Sequence, residues 1–84
     1  MPANTPIHRA FVANIRARRD ELGLTQGQVA DALGWKHPQY ARLEHGSHKV
    51  FLDTVEEVAA VLQTTAAKLI TAGAFKSTTK KISA

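Results

Sequence analysis

The chain has 84 residues, no cysteine, 6% aromatic residues and a formal net charge of +4, which leaves room for one small domain. The missing thiols exclude disulfides, thiolate metal sites and cysteine nucleophiles. Apolar residues are mostly Ala, Val, Leu and Ile, a set that favours close-packed helices over a broad sheet, and the positive balance suits a polyanionic partner.

Residues 1–6, MPANTP, carry two prolines and are expected to form a flexible arm. Ile7, Phe11, Ile15 and Leu22 then recur at helical spacing with arginines between them. A first helix is expected there, opened by Thr5 or Pro6 and stopped by Gly23. Thr25 followed three residues on by Gln28 spells a capping box, and Leu24 and Val29 take the positions of a hydrophobic staple around the same helix start. Gly27 lowers the helix propensity of that first turn, which we attribute to close packing against the following helix. Gly34 ends the second helix.

A third helix is expected from His37 to Glu44, with Gly46 as its stop. Pro38 is compatible with it because it falls in the first turn, where backbone N–H groups lack intrahelical partners. At ~100° per residue, Tyr40 and Leu43 project to one side and His37, Pro38, Ala41, Arg42 and His45 to the other. That outward stripe is polar, basic and small, and burial does not account for it. Leu52, Val55, Val58, Ala59 and Leu62 mark a fourth helix, with Asp53, Glu56 and Glu57 near its positive N-terminal end. Thr64 or Thr65 caps a short fifth helix containing Ala66, Leu69 and Ile70 and ending at Gly73. The ordered domain is therefore read as residues 7–73, and residues 74–84 as a flexible basic tail with Lys76, Lys80 and Lys81. With Arg9, Arg16, Arg18 and Arg19 early and the acidic residues in the fourth helix, one basic side and one more acidic side are expected. No apolar run reaches the length of a bilayer span and the N-terminus lacks a signal-peptide core, so a cytoplasmic protein without membrane contact is expected.

Two short helices joined by a tight Gly-containing turn make a helix-turn-helix in outline. The string IRARRDELGLTQGQVADALGWKHPQYARLEHG, followed by LDTVEEVAAVLQTTAAKLI, closely resembles the Cro/C1-type helix-turn-helix family over about residues 9–70. The resemblance rests on the Arg…Gly-Leu-Thr-Gln start, Ala30, the Leu33-Gly34 turn and Arg-Leu-Glu-x-Gly at 42–46. That family includes phage repressors, restriction–modification controller proteins and many antitoxins. The resemblance implies an all-α fold, a compact five-helix bundle of the lambda-repressor-like DNA-binding type. The helix near residue 37 would lie in the DNA major groove, and the helix from Thr25 would cross the backbone. Gln26 matches a position that meets phosphate, and Arg19 and Glu44 match positions that form a partly buried ion pair. Four residues depart from the family pattern. Val50 stands where a proline often ends the loop, Trp35 replaces an aliphatic residue in the turn, Lys36 replaces a capping Ser or Thr, and Ala41 replaces a frequent Ser or Thr.

On this reading Arg42 is assigned to a base edge, its planar fork matching guanine O6 and N7, with a phosphate contact as the alternative. His37, Pro38 and Ala41 are assigned to neighbouring base edges. Thr25, Gln26, Lys36, Gln39, His45, Ser47 and Lys49 are assigned to phosphates. Leu69, Ile70 and Phe75 are assigned to a dimer interface, because one helix reads too few base pairs and a two-fold pair on a palindromic operator supplies the rest. Trp35 and Tyr40 are read as core, Arg16 and Arg18 as solvated helix surface, and the four histidines as solvated or phosphate-contacting. No metal-ligand set, catalytic constellation or cofactor cradle can be assembled. The expectation is a bacterial or phage transcriptional regulator that binds double-stranded DNA as a homodimer. The alternative is an antitoxin that holds a partner toxin and regulates its own operon.

Overall fold

The computed structural model describes residues 5–46 and 48–75, in which the only regular elements are five helices in sequence. Helix α1 (Pro6–Leu22) starts with Pro6 in its first turn and with the Thr5 Oγ1 accepting the His8 N–H at 3.1 Å. Helix α2 (Gln26–Leu33) has both arms of the capping box: Gln28 N–H donates to Thr25 Oγ1 at 3.0 Å and Thr25 N–H donates to Gln28 Oε1 at 2.8 Å. Helix α3 (His37–His45) runs one residue beyond the expected end. Lys36 precedes it with no side-chain cap, as its lack of a hydroxyl requires. Helices α4 (Leu52–Val61) and α5 (Ala66–Leu69) complete the chain. The turn between α2 and α3 depends on Gly34, whose φ of 76° is one that side chains rarely adopt.

The core gathers one stripe from each helix: Phe11 and Ile15, Val29 and Ala30, Tyr40 and Leu43, Val55, Val58, Ala59 and Leu62, and Leu69. Two residues of the expected stripes stand outside it. Ile7 is 60% exposed and Leu52 79% exposed. Angular position does not explain this, because Asn14 lies only ~20° round from Ile7 and Ala59 only ~20° round from Leu52 and both are buried; what sets the two apart is that each stands in the first turn of its helix. Leu69, assigned above to a dimer interface, is wholly buried in this core, so it is unavailable to a second chain.

Helix α5 ends at Leu69 rather than at Gly73, and a side chain from α1 meets the carbonyls at that end. Asn14, 1% exposed, donates from Nδ2 to the carbonyls of Lys68, Leu69 and Thr71 at 3.2, 2.7 and 2.8 Å. Its Oδ1 accepts the Phe75 N–H at 3.4 Å. It thus satisfies the Leu69 carbonyl, which a longer helix would have satisfied itself, and adds a second donor to those of Lys68 and Thr71. Arg18 does the same for α4, donating from Nε to the Leu62 carbonyl at 2.8 Å and from Nη2 to the Gln63 carbonyl at 3.1 Å. Its positive charge lies at the negative end of that helix. Gln63 has a left-handed φ of 58°, a strained conformation for a non-glycine residue, and the guanidinium holds its carbonyl there. Arg18 also reaches Glu21 at 2.8 Å and lies 5.7 Å from the centre of the Phe75 ring. It is therefore a structural clamp and not the solvated residue expected from the sequence.

Candidate nucleic-acid interface

Helix α3 divides into two faces. Tyr40, Leu43 and Glu44 are buried, whereas His37, Pro38, Gln39, Arg42 and His45 are exposed and Ala41 is half-buried. Around the helix axis, Pro38, Arg42 and His45 lie within ~30° of the direction opposite the buried trio. Gln39 flanks them toward the loop, where it lines an open cleft with Arg42, Lys49 and Trp35. Ala41 and His45 flank the other side, lining a cleft of about 310 Å³ with Arg16 and Gln26. Trp35 is half-buried against the core with its ring centre 6.4 Å from that of Tyr40.

His37 is turned toward α2. Its Nε2 lies 3.1 Å from Asp31 Oδ1, and a Cβ added to Gly27 would sit 2.8 Å from its Cε1. This is the close approach that the glycine in the first turn of α2 makes room for. Both partners of the His37–Asp31 pair are largely exposed, so it orients the ring without contributing much stability.

The inner end of α3 is fixed by a buried ionic knot. Arg19 donates from Nε to Glu44 Oε2 at 2.6 Å and from Nη2 to Oε1 at 3.0 Å, a bidentate pair. Its remaining nitrogen, Nη1, donates to the Leu24 carbonyl at 3.0 Å. Gln26 Nε2 donates to Glu44 Oε1 at 2.9 Å, so the first residue of α2 is tied to the same carboxylate. Glu44 is 3% exposed. Burial would push its carboxyl up, but the hydrogen bonds led by Arg19 outweigh burial and hold it below the ordinary carboxylate value. The reciprocal hydrogen bond raises Arg19. Burial, with the Glu44 carboxylate beside it, pushes the Tyr40 phenol up. Three elements meet here, so α3 is set at a defined angle to α1 and to the start of α2.

The remaining assigned residues sit around this frame. Thr25 caps α2, with its hydroxyl engaged in the capping box. Lys36 and Lys49 are exposed at either end of the α3 segment. Ser47 and the tail lysines Lys76, Lys80 and Lys81 lie outside the described residues. Ile70 is half-buried, and Phe75 is half-buried beneath Arg18, which leaves only Ile70 of the three assigned interface residues facing an open groove. His8 departs from the reading of the histidines as solvated or phosphate-bound: it is 8% exposed, with Nε2 3.0 Å from the His48 carbonyl, and so pins the loop after α3 to α1. Sequence reasoning missed His8, Asn14 and Arg18. Their partners are backbone carbonyls, which leave no mark on residue type.

Among the described residues, no group of three or more His, Cys, Asp or Glu side chains is placed to hold a metal ion, and no helix is long and apolar enough to cross a membrane. A family profile described as a helix-turn-helix domain matches residues 10–69, from the first turns of α1 to the end of α5. No curated protein and no solved structure matches the chain. The matched range takes in α2, the Gly34 turn and α3, and the chain belongs to the Cro/C1-like helix-turn-helix family of DNA-binding domains.

Proposed function

We propose that this chain is a sequence-specific transcriptional regulator of a bacterium or phage, acting in the cytoplasm as a homodimer on a palindromic operator. The observation that carries the reading is the split of α3. Its inner face is locked by the Arg19–Glu44–Gln26 knot, while the side chains of Pro38, Arg42 and His45 face outward and form no ion pair among the described residues. A rigidly held helix with a solvated basic face suits insertion into the major groove. Arg42 reads guanine through two hydrogen bonds, and Pro38 and Ala41 meet thymine methyl groups. His37, tethered to Asp31, reads a base at the edge of the site.

Gln26 has a second N–H on the carboxamide that Glu44 orients, and it donates that hydrogen to a phosphate beside the N-terminus of α2. Thr25, Lys36, Gln39, His45, Ser47 and Lys49 follow the backbone and set register without reading sequence. Selection of bound duplexes from a random pool tests the reading. The expected product is a motif of two inverted half-sites whose centres lie about one helical turn apart, ~10 base pairs, or a multiple of that. A pool that never enriches over successive rounds would overturn it.

A further inference from the structure

Three large apolar side chains are exposed among the described residues, and they are not scattered. Ile7 (60% exposed), Phe51 (72%) and Leu52 (79%) all line one groove of about 410 Å³ between the start of α1 and the start of α4. Phe11, Val55 and Ile70 lie deeper in the same groove. An apolar patch of this kind on a small basic domain marks an interaction surface. Resting on the DNA-binding reading above, we propose that its occupant is a second copy of this chain, related by a two-fold axis that passes beside Phe51 and Leu52.

Three observations favour a second copy. The patch pairs protruding side chains with a recess, so the Phe51 and Leu52 of one copy can enter the groove of the other while receiving its pair in return. Such reciprocity is what a two-fold interface requires. The charges at its rim are also self-complementary. Lys49 and Asp53 flank Phe51-Leu52 in sequence, both are exposed, and among the described residues neither forms an ion pair within the chain. In a two-fold contact the Lys49 of each copy meets the Asp53 of the other. Finally, Lys49 lines both this groove and the cleft beside Arg42, so the patch is continuous with the proposed DNA-binding face. Two copies joined there present both α3 helices to one side of a duplex. This surface replaces Leu69 and Phe75 and retains Ile70.

Sedimentation of the full chain without DNA tests the proposal independently of the DNA reading. Wild type is expected to be dimeric at micromolar concentration. A Phe51→Glu, Leu52→Glu double variant is expected to be monomeric, with dimer affinity reduced at least ~100-fold because two carboxylates from each copy would be desolvated on pairing. Both side chains are mostly exposed, so the circular dichroism and the Tm of the monomer are expected to remain those of a folded helical chain. Lys49→Asp and Asp53→Lys are each expected to weaken dimerisation about 2- to 5-fold, and the two together to restore it. A monomeric wild type, an undiminished dimer in the Phe51/Leu52 variant, or a charge-exchanged pair weaker than either single variant would each overturn the proposal. A duplex carrying one half-site separates this from the DNA reading. The monomeric variant is expected to bind it as wild type does per subunit, and loss of binding by both would count against the DNA reading alone.

Discussion

Helix α1 holds the molecule together through two polar clamps of different kinds, and the difference explains which part of the fold can be read from residue types. Toward α2 and α3, Arg19 grips Glu44 in a charged, bidentate pair, the carboxylate buried and the guanidinium half-buried, that also recruits Gln26. Toward α4 and α5, Asn14 and Arg18 grip backbone carbonyls at the ends of both helices. The first clamp joins side chain to side chain, so it leaves a mark at both ends in the sequence. The second joins side chain to main chain and leaves a mark at one end only. The first clamp fixes the helix proposed to enter DNA, and the second fixes the part of the chain that closes the core beneath it.

The charged clamp is expected to be the costlier to break. Glu44→Ala strands the Arg19 guanidinium in a mostly buried site and is expected to cost about 3–5 kcal/mol, against about 0–1 kcal/mol for the exposed Glu56→Ala. Chemical denaturation of both variants checks this, and equal midpoints would remove the distinction between the clamps. The same residue makes the clamp sensitive to acid. The Glu44 carboxyl is held below its ordinary 4.5, so the folded chain binds that proton less tightly than the unfolded chain does. The stability it supplies is complete above the unfolded value and is lost as pH falls through the folded one. A profile of Tm against pH is therefore expected to fall more steeply below about pH 4.5 in wild type than in Glu44→Gln.

The main-chain clamp is expected to yield smaller effects with no such pH signature. Asn14→Ala leaves the buried Leu69 carbonyl without its donor and is expected to cost about 1–3 kcal/mol, with the shape of the pH profile unchanged. If its profile flattened in acid as that of Glu44→Gln is expected to, the two clamps would be energetically one network. Arg18→Ala is expected to cost about 1 kcal/mol or less, because the guanidinium is partly solvated and water can replace it at the Leu62 and Gln63 carbonyls. A loss larger than that of Asn14→Ala would show that the strained Gln63 turn depends on Arg18 more than its exposure implies.

The helix-turn-helix was legible because each of its boundaries has a local chemical cause. Thr25 with Gln28 starts α2, Gly34 supplies the left-handed turn, Pro38 can stand only in a first turn, and Gly46 closes α3. Gly27 was legible in the same way, as a residue whose cost needed a neighbour, and that neighbour is His37. The exposure of Ile7 and Leu52 and the burial of Leu69 were not legible. Helical periodicity states which face is apolar, but it does not state how far the neighbouring helices extend along that face or on which side of the molecule a terminal helix packs. Asn14 was illegible for a further reason: an asparagine inside a helix reads as a mild defect unless the carbonyls it serves, more than fifty residues away in sequence, are already in place.

On the proposed function, the outward face of α3 reads DNA sequence while the clamped face only positions it. The most direct test compares Arg42→Ala and Gln26→Ala on two duplexes, the selected site and the same site changed at the base pair facing Arg42, at one fixed salt concentration. Arg42→Ala is expected to lose about 1–3 kcal/mol of affinity on the selected site and much less on the changed one, because that contact is already missing there. Gln26→Ala is expected to weaken both duplexes by the same factor, since a phosphate carries no base identity. If Arg42→Ala weakened both duplexes equally, Arg42 would be holding phosphate and the account of α3 as the reading face would be contradicted at its main residue.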